Sequence, residues 1–319
     1  MIFLTNSIFK TFLDCPSRAM AMYKGRVIGD ATIIPEWEEP SSEAMAAGSL
    51  VDAIVTRGML ADETDKKILP TSFYTFLKSS YDDGMKNAET LCNKSGGWNA
   101  AAKKAILAAK RLLADPVAQS LLKGAILQPR ISFLLDDGIT WQGDIDILTA
   151  LNGELHIIDL KSPGRTDDGW IVCQGKNIKC SWFDAWSYWF QVSGYRYGIE
   201  YGNNFTLNGC DWNVTALGID PDTPFRTGLL FCSREENPEI GYVPIGDHAA
   251  TWEMILKNKT KFGGPSKLEI IKAIATGQVD APMCGKCDFC KSKSSVILPT
   301  AYGAELPPFD DAYGLMDII

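Results

Sequence analysis

Between residues 131 and 161, apolar runs are cut by turn-forming residues, a pattern that predicts a β-meander. Strands are expected over 131–135, 139–150 and 154–161. Asp136-Asp137-Gly138 makes the first turn, and Asn152-Gly153 is a strong hairpin signal for the second. Upstream the period becomes helical. Ile8, Phe12 and Leu13 share a face within 5–24, behind capping side chains at Thr5, Asn6 and Ser7, and Cys15-Pro16 lies inside the pattern. The stretch 27–42, with Pro35 and Pro40, reads as irregular. A short helix is expected near 43–58, and an Ala/Lys/Leu helix over 99–124 with an interruption at Pro116. Downstream, an aromatic-rich helix is expected over 181–200, strands near 213–219 and 226–233, and helices near 249–258 and 266–276. Residues 296–319, with Pro-Pro and several carboxylates, read as a flexible acidic tail.

Two strands carry unusual charges. One reads Gly143-Asp144-Ile145-Asp146, the other Ile158-Asp159-Leu160-Lys161-Ser162. Side chains alternate along a strand, so Asp159 and Lys161 share a face, as do Asp144 and Asp146. The hairpin brings either Asp144 or Asp146 close to Asp159. Ionised carboxylates on strands this apolar are costly unless paired or bound to a cation. Mg²⁺ and Mn²⁺ favour carboxylate oxygens, and a nearby lysine suits phosphodiester hydrolysis, where water must be oriented and negative charge offset. The competing reading is an ordinary Asp–Lys ion pair on a surface hairpin.

These segments resemble the motifs of the RecB-like branch of the PD-(D/E)XK nuclease superfamily. The resemblance implies an α/β, restriction-endonuclease-like core, a central mixed sheet flanked by helices, with Asp146, Asp159 and Lys161 as catalytic residues. Gln191 and Tyr195, four apart after the D-x-K strand, resemble a Q-x-x-x-Y motif that contacts DNA or braces the site. The pattern departs at one place. The branch usually carries a metal-ligating histidine in G-x-x-x-H, whereas this chain has Gly48 followed by Asp52. Asp52 is then either a third Mg²⁺ or Mn²⁺ ligand or a solvated helix position.

Nine cysteines without an export-type leader do not suggest a disulfide framework, and a cytoplasmic setting is expected. Cys92, Cys173, Cys180, Cys210 and Cys232 read as apolar packing. Cys284, Cys287 and Cys290 have metal-binding spacing. Phe12 to Arg18 resembles the amino-terminal cysteine motif of AddB-like iron–sulfur nucleases. That resemblance implies Cys15 as the fourth ligand of a [4Fe–4S] cluster clasping the chain ends, with Zn²⁺ or unliganded thiols as the alternatives.

The net charge of −8 excludes binding nucleic acid by bulk charge alone. Lys103, Lys104, Lys110, Arg111, Lys257, Lys259, Lys261, Lys267, Lys291 and Lys293 offer local cations, and Trp182, Trp186, Tyr188 and Trp189 could stack bases. No apolar run is long enough to span a membrane. One domain is expected over 1–295, with its catalytic core at about 99–235. The motif order most resembles phage and prophage RecE-type exonucleases. This implies a two-metal exodeoxyribonuclease acting on duplex ends and single strands in recombination or repair. The alternatives are a structure-specific or CRISPR-associated endonuclease and a non-catalytic DNA-binding scaffold. A recombinase or annealing protein and a second copy of the chain are candidate partners.

Overall fold

The computed structural model describes residues 1–38, 42–56, 90–95, 97–173, 176–211, 223–259 and 263–293. Side-chain surroundings are described for the same residues except 170–173, 176 and 211. The expected strand near 213–219, Lys261 and the acidic tail lie outside these residues.

The amino-terminal helical pattern is two helices after a short strand β1 (Ile2–Leu4): α1 (Asn6–Asp14) and α2 (Pro16–Ile28). Thr5 caps α1 by accepting from the Ile8 N–H. Cys15 is extended, at φ −162° and ψ 102°, because the ring of the following proline disfavours helical backbone there. After α3 (Glu43–Thr56), the alanine-rich segment splits as expected into α4 (Ala100–Ala114) and α5 (Pro116–Leu122). Asp115 caps the second by accepting from the Val117 and Ala118 N–H groups.

The expected single central sheet is two mixed five-stranded sheets. The strands are β2 (Ile126–Leu127), β3 (Arg130–Asp136), β4 (Ile139–Asp144), β5 (Ile147–Leu151), β6 (Glu154–Lys161), a ribbon of β7 (Gly169–Cys173) and β8 (Lys176–Cys180), β9 (Asn203–Leu207), β10 (Cys210–Asp211), β11 (Phe225–Cys232) and β12 (Ile240–Ile245). One sheet runs β1-β4-β3-β9-β10 and the other β12-β11-β6-β5-β2.

The strand expected over 139–150 therefore breaks. Its first half, β4, belongs to one sheet and its second half, β5, to the other. The partner segment bends with it, at Gln128, whose φ is +49°. Backbone bonds hold the corner: Gln128 N–H donates to Asp146 O at 3.0 Å, and Ile145 N–H to Pro129 O at 3.1 Å. The sequence hides this bend because Ile145, Ile147 and Leu148 are all buried, so the apolar run continues through it.

The aromatic helix expected over 181–200 is also split, into α6 (Trp182–Ala185) and α7 (Tyr188–Tyr201), with Ser187 left-handed at φ +50° between them. Helices α8 (Ala249–Lys257), α9 (Lys267–Ala275) and α10 (Asp288–Lys293) complete the described chain.

Alternation along β6 sorts two cores. Leu155 and Ile157 face a core shared with α1, α7 and α8, filled by Phe9, Phe12, Phe133, Trp141, Phe190 and Trp252. Ile158 and Leu160 face α3 and α4. Asp159 and Lys161 continue the Leu155–Ile157 face, with β5 and β11 on either side of β6. Among the described residues, no helix is long and apolar enough to cross a membrane.

Candidate active site

The corner between the sheets and the end of β6 form the site. Asp159 is fully buried, and its Oδ2 contacts the Lys161 ammonium. Apart from that ammonium, neither Asp159 oxygen has a hydrogen-bond partner among the described residues. Beside it, the β5 ladder ends where Ile147 pairs with Ile158. The Leu160 N–H beyond that end would be orphaned, and Asp146 supplies the missing acceptor: its Oδ2 takes the N–H at 2.6 Å.

The hairpin's two candidates are thus resolved. Asp146 joins Asp159, whereas Asp144 is half exposed and lies 3.7 Å from Arg130. Burial, and then the neighbouring Asp159 carboxylate, push the Asp146 carboxyl well above the usual carboxylate range. For Lys161, burial opposes the charge, but Asp159 and Asp146 outweigh it and raise its pKa above the ordinary lysine value. The Lys161 amine also lies over the Tyr188 ring, 4.9 Å from its centroid.

Asp52, on α3, approaches from the helical layer. Its Oδ2 accepts from Gln128 Nε2 at 2.8 Å, and its charge adds to the repulsion felt by Asp146. One turn earlier, a Cβ on Gly48 would lie 3.6 Å from Ser162 Oγ, so α3 sits close to the segment just after Lys161. Asp52 is therefore beside the site, not on a remote solvated face. The three carboxylates do not converge as tightly as the cysteines described below: among the described residues, only that cysteine set brings three or more His, Cys, Asp or Glu ligand atoms all within 4.8 Å.

Gln191 and Tyr195 pack on this corner. Gln191 Nε2 donates to Tyr195 Oη at 2.8 Å, and Asn6 Nδ2 approaches Gln191 Oε1 at 3.5 Å. Tyr195 is only 3 % exposed. Its side chain packs against Gly143, while Gln191 keeps partial exposure, and of the two roles implied by the Q-x-x-x-Y resemblance this packing suits bracing the site. Burial, then Asp159 and Asp146, hold the Tyr195 hydroxyl protonated well beyond its usual range.

Sequence reasoning missed Lys10. It projects from α1, and its amine donates to Trp186 O at 3.2 Å and Ser187 O at 3.5 Å. Burial, and then the positive charge of Lys161, lower its pKa to about 8. The sequence offers no signal for it beyond a lysine on an amphipathic helix. The expected stacking aromatics also separate: Trp182 and Trp189 are core, and Trp186 is 68 % exposed beside Lys10.

The second cluster joins the chain's described ends. Cys15, Cys284, Cys287 and Cys290 have all four Sγ atoms within 4.8 Å of one another. Cys15 lies between α1 and α2, and Cys290 is on α10. Of the remaining cysteines whose surroundings are described, Cys232 is buried, Cys92 and Cys180 are half-buried and Cys210 is exposed, correcting the expectation of uniform apolar packing. The side-chain surroundings of Cys173 lie outside the described residues. His156 lies 3.9 Å from Glu154, away from both clusters.

Two mixed sheets, flanking helices and a carboxylate–lysine corner define a PDDEXK-like α/β domain. The chain belongs to the family described as a PDDEXK-like domain of unknown function (DUF3799), whose model matches residues 5–293. The fold is also similar to the crystal structure of a "Putative exonuclease" from Eubacterium rectale. The TM-score is 0.59 at 17 % identity, covering 94 % of this chain and 91 % of that one. No curated protein matches the sequence significantly.

Proposed function

We propose that this protein is a metal-dependent nuclease hydrolysing DNA phosphodiester bonds, with Asp146, Asp159 and Lys161 at its centre. The observation that carries the reading is Asp159. A fully buried carboxylate with no hydrogen-bond donor but one ammonium among the described residues is expensive, and a divalent cation is the partner that would relieve it. Oxygen donors at Asp159, at the Asp146 oxygen not bonded to Leu160, and at Asp52 suit Mg²⁺ or Mn²⁺. A bound ion of that kind would acidify a water and offset phosphate charge.

The chain's own groups do the rest. The Leu160 N–H fixes the Asp146 carboxylate. Lys161, kept protonated by two carboxylates, orients the attacking water and faces the negative charge that develops on the phosphate. Gln191 and Tyr195 hold the corner rigid, and Lys10 adds a second cation toward the DNA backbone.

Action from DNA ends is the preferred mode. It rests on the resemblance to RecE-type exonucleases and agrees with the description of the Eubacterium rectale protein. The test is digestion of end-labelled linear and covalently closed circular DNA with Mg²⁺ or Mn²⁺, comparing wild type with Lys161→Ala. Loss of linear DNA alone, abolished in the variant, supports an exonuclease. Cutting of circles would replace it with an endonuclease. Binding without cleavage under any divalent cation would leave a DNA-binding scaffold.

A further inference from the structure

The resemblance to iron–sulfur nucleases implies a [4Fe–4S] cluster at the cysteines, and the sulfur spacing does not fit one. In a cubane each cysteine ligates a different iron. Two metal–sulfur bonds and an iron–iron edge then separate any two cysteine sulfurs, placing them on the order of 6 Å apart. Here Cys15 Sγ and Cys290 Sγ are 3.5 Å apart, Cys284 Sγ and Cys290 Sγ are 3.8 Å apart, and all pairs fall within 4.8 Å. These separations are also too long for disulfides, whose sulfurs are about 2 Å apart.

A single tetrahedral ion fits. Zinc–sulfur bonds of about 2.3 Å in a tetrahedron put neighbouring sulfurs about 3.8 Å apart. The surrounding backbone is arranged for thiolates. Gly285, left-handed at φ +71°, turns the chain so that the Lys286 and Cys287 N–H groups both donate to Cys284 Sγ at 3.4 Å. On the other wall the Arg18 N–H donates to Cys15 Sγ at 3.4 Å. Such N–H···S bonds favour the charged sulfur that a zinc ion requires.

We propose that Cys15, Cys284, Cys287 and Cys290 hold one structural zinc ion in a closed four-thiolate site. The ion staples the α1–α2 junction to the loop before α10 and to α10 itself. Ser17 N–H, donating to Pro282 O at 3.2 Å, and the edge contact of Trp37 with Phe289 flank the staple. Because α1 also carries Asn6 and Lys10 to the active site, the zinc site fixes the wall behind the chemistry while all four of its ligand positions are filled by protein.

The experiment is metal analysis of the full chain purified without oxygen and without added metals, with an absorption spectrum, followed by exchange with Co²⁺. The expected result is one zinc per chain, negligible iron and no brown absorbance. The cobalt form should show the visible bands and sulfur-to-cobalt charge transfer of a tetrahedral four-thiolate site. Four irons per chain with broad absorbance near the violet end would overturn the proposal, as would protein containing neither metal. Cysteine-to-serine variants risk misfolding, so titration of the wild type with an organomercurial supplies the second measurement. Zinc released in step with the last four thiols to react, after the thiols outside the site have been modified, supports the site, and zinc released before those four are modified overturns it. None of these readouts depends on DNA cleavage.

Discussion

The Tyr195 ring occupies the space that a side chain on Gly143 would need: a Cβ there would stand 2.7 Å from Tyr195 Cε1. Two motifs far apart in sequence therefore meet in one contact, three residues before Asp146. Gly143→Ala must displace the ring or bend β4, and overpacking of this kind costs about 1–3 kcal/mol. The variant is expected to lose that much stability in urea unfolding and to cut DNA at least ~10-fold more slowly, because the corner holding Asp146 shifts. Adding Tyr195→Leu, which empties the space, should recover part of the stability. Wild-type stability and cleavage in Gly143→Ala would refute the brace.

Asp146 predicts an inverted response to substitution. Its folded pKa is raised by burial and by Asp159, so folding favours its protonated form. The stabilising contribution is complete at acid pH and is lost as pH rises through the folded value. In metal-free protein, raising the pH above the ordinary carboxylate range therefore makes this buried carboxyl a burden. Asp146→Asn keeps an oxygen to accept from Leu160 and removes the charge. It should melt higher than wild type at pH 7.5 in chelator and close to wild type near pH 4. Mn²⁺ at about 100 times its dissociation constant should stabilise wild type by about 2.7 kcal/mol and the variant hardly at all. A variant that melts lower than wild type at pH 7.5, or gains fully from Mn²⁺, would refute this account.

Lys10 gives a pH limb. With a pKa of about 8 set by burial and by Lys161, it is mostly charged at pH 7 and loses its proton as pH rises past 8. If it meets the DNA backbone, kcat/KM should fall on the alkaline side with a midpoint near 8, since that ratio reports the free enzyme. Lys10→Arg should move the limb beyond the measurable range, and Lys10→Met should lower kcat/KM roughly 10-fold or more at pH 7, mainly through KM. An alkaline limb unchanged in Lys10→Arg would remove Lys10 from substrate binding.

Much of this site is legible in the sequence because strands have a strict period. Asp159 and Lys161 had to share a face, and the Asn152-Gly153 turn had to bring the preceding strand alongside. Strand period alone left Asp144 and Asp146 open, and it was the motif resemblance that implied Asp146. The choice depends on the bend at Gln128 and on the sheet to which each half of the strand belongs, which are tertiary matters. The short strands β1, β9 and β12 escaped for the same reason, since each is defined by its neighbours more than by its own pattern. Lys10 is separated from Lys161 by most of the helical layer in sequence, and no local signal marks it. Cysteine spacing marked Cys284, Cys287 and Cys290, and the amino-terminal resemblance implied Cys15, yet C-x2-C runs serve zinc and iron–sulfur alike, so the separations of the sulfurs carry the discrimination.

Trp186 offers the clearest route to how DNA is held. Buried Trp182 and Trp189 pack into the cores, whereas Trp186 exposes 68 % of its surface at the turn between α6 and α7. Its own backbone carbonyl accepts from the Lys10 amine, so the exposed tryptophan is anchored at a residue that also holds a cation. An aromatic this exposed gains little from folding, and base stacking on such a face contributes about 1–3 kcal/mol per base. Trp186→Ala should therefore leave the melting transition within about 0.5 kcal/mol of wild type while weakening single-stranded DNA binding roughly 5- to 100-fold. Trp186→Phe should retain most of the affinity, and kcat at saturating DNA should change little. Fluorescence polarisation with a labelled oligonucleotide, read beside a urea melt, separates the cases. Unchanged affinity in Trp186→Ala would mean that the strand leaves the site by another path, and a large loss of stability would mean that the indole packs against the protein.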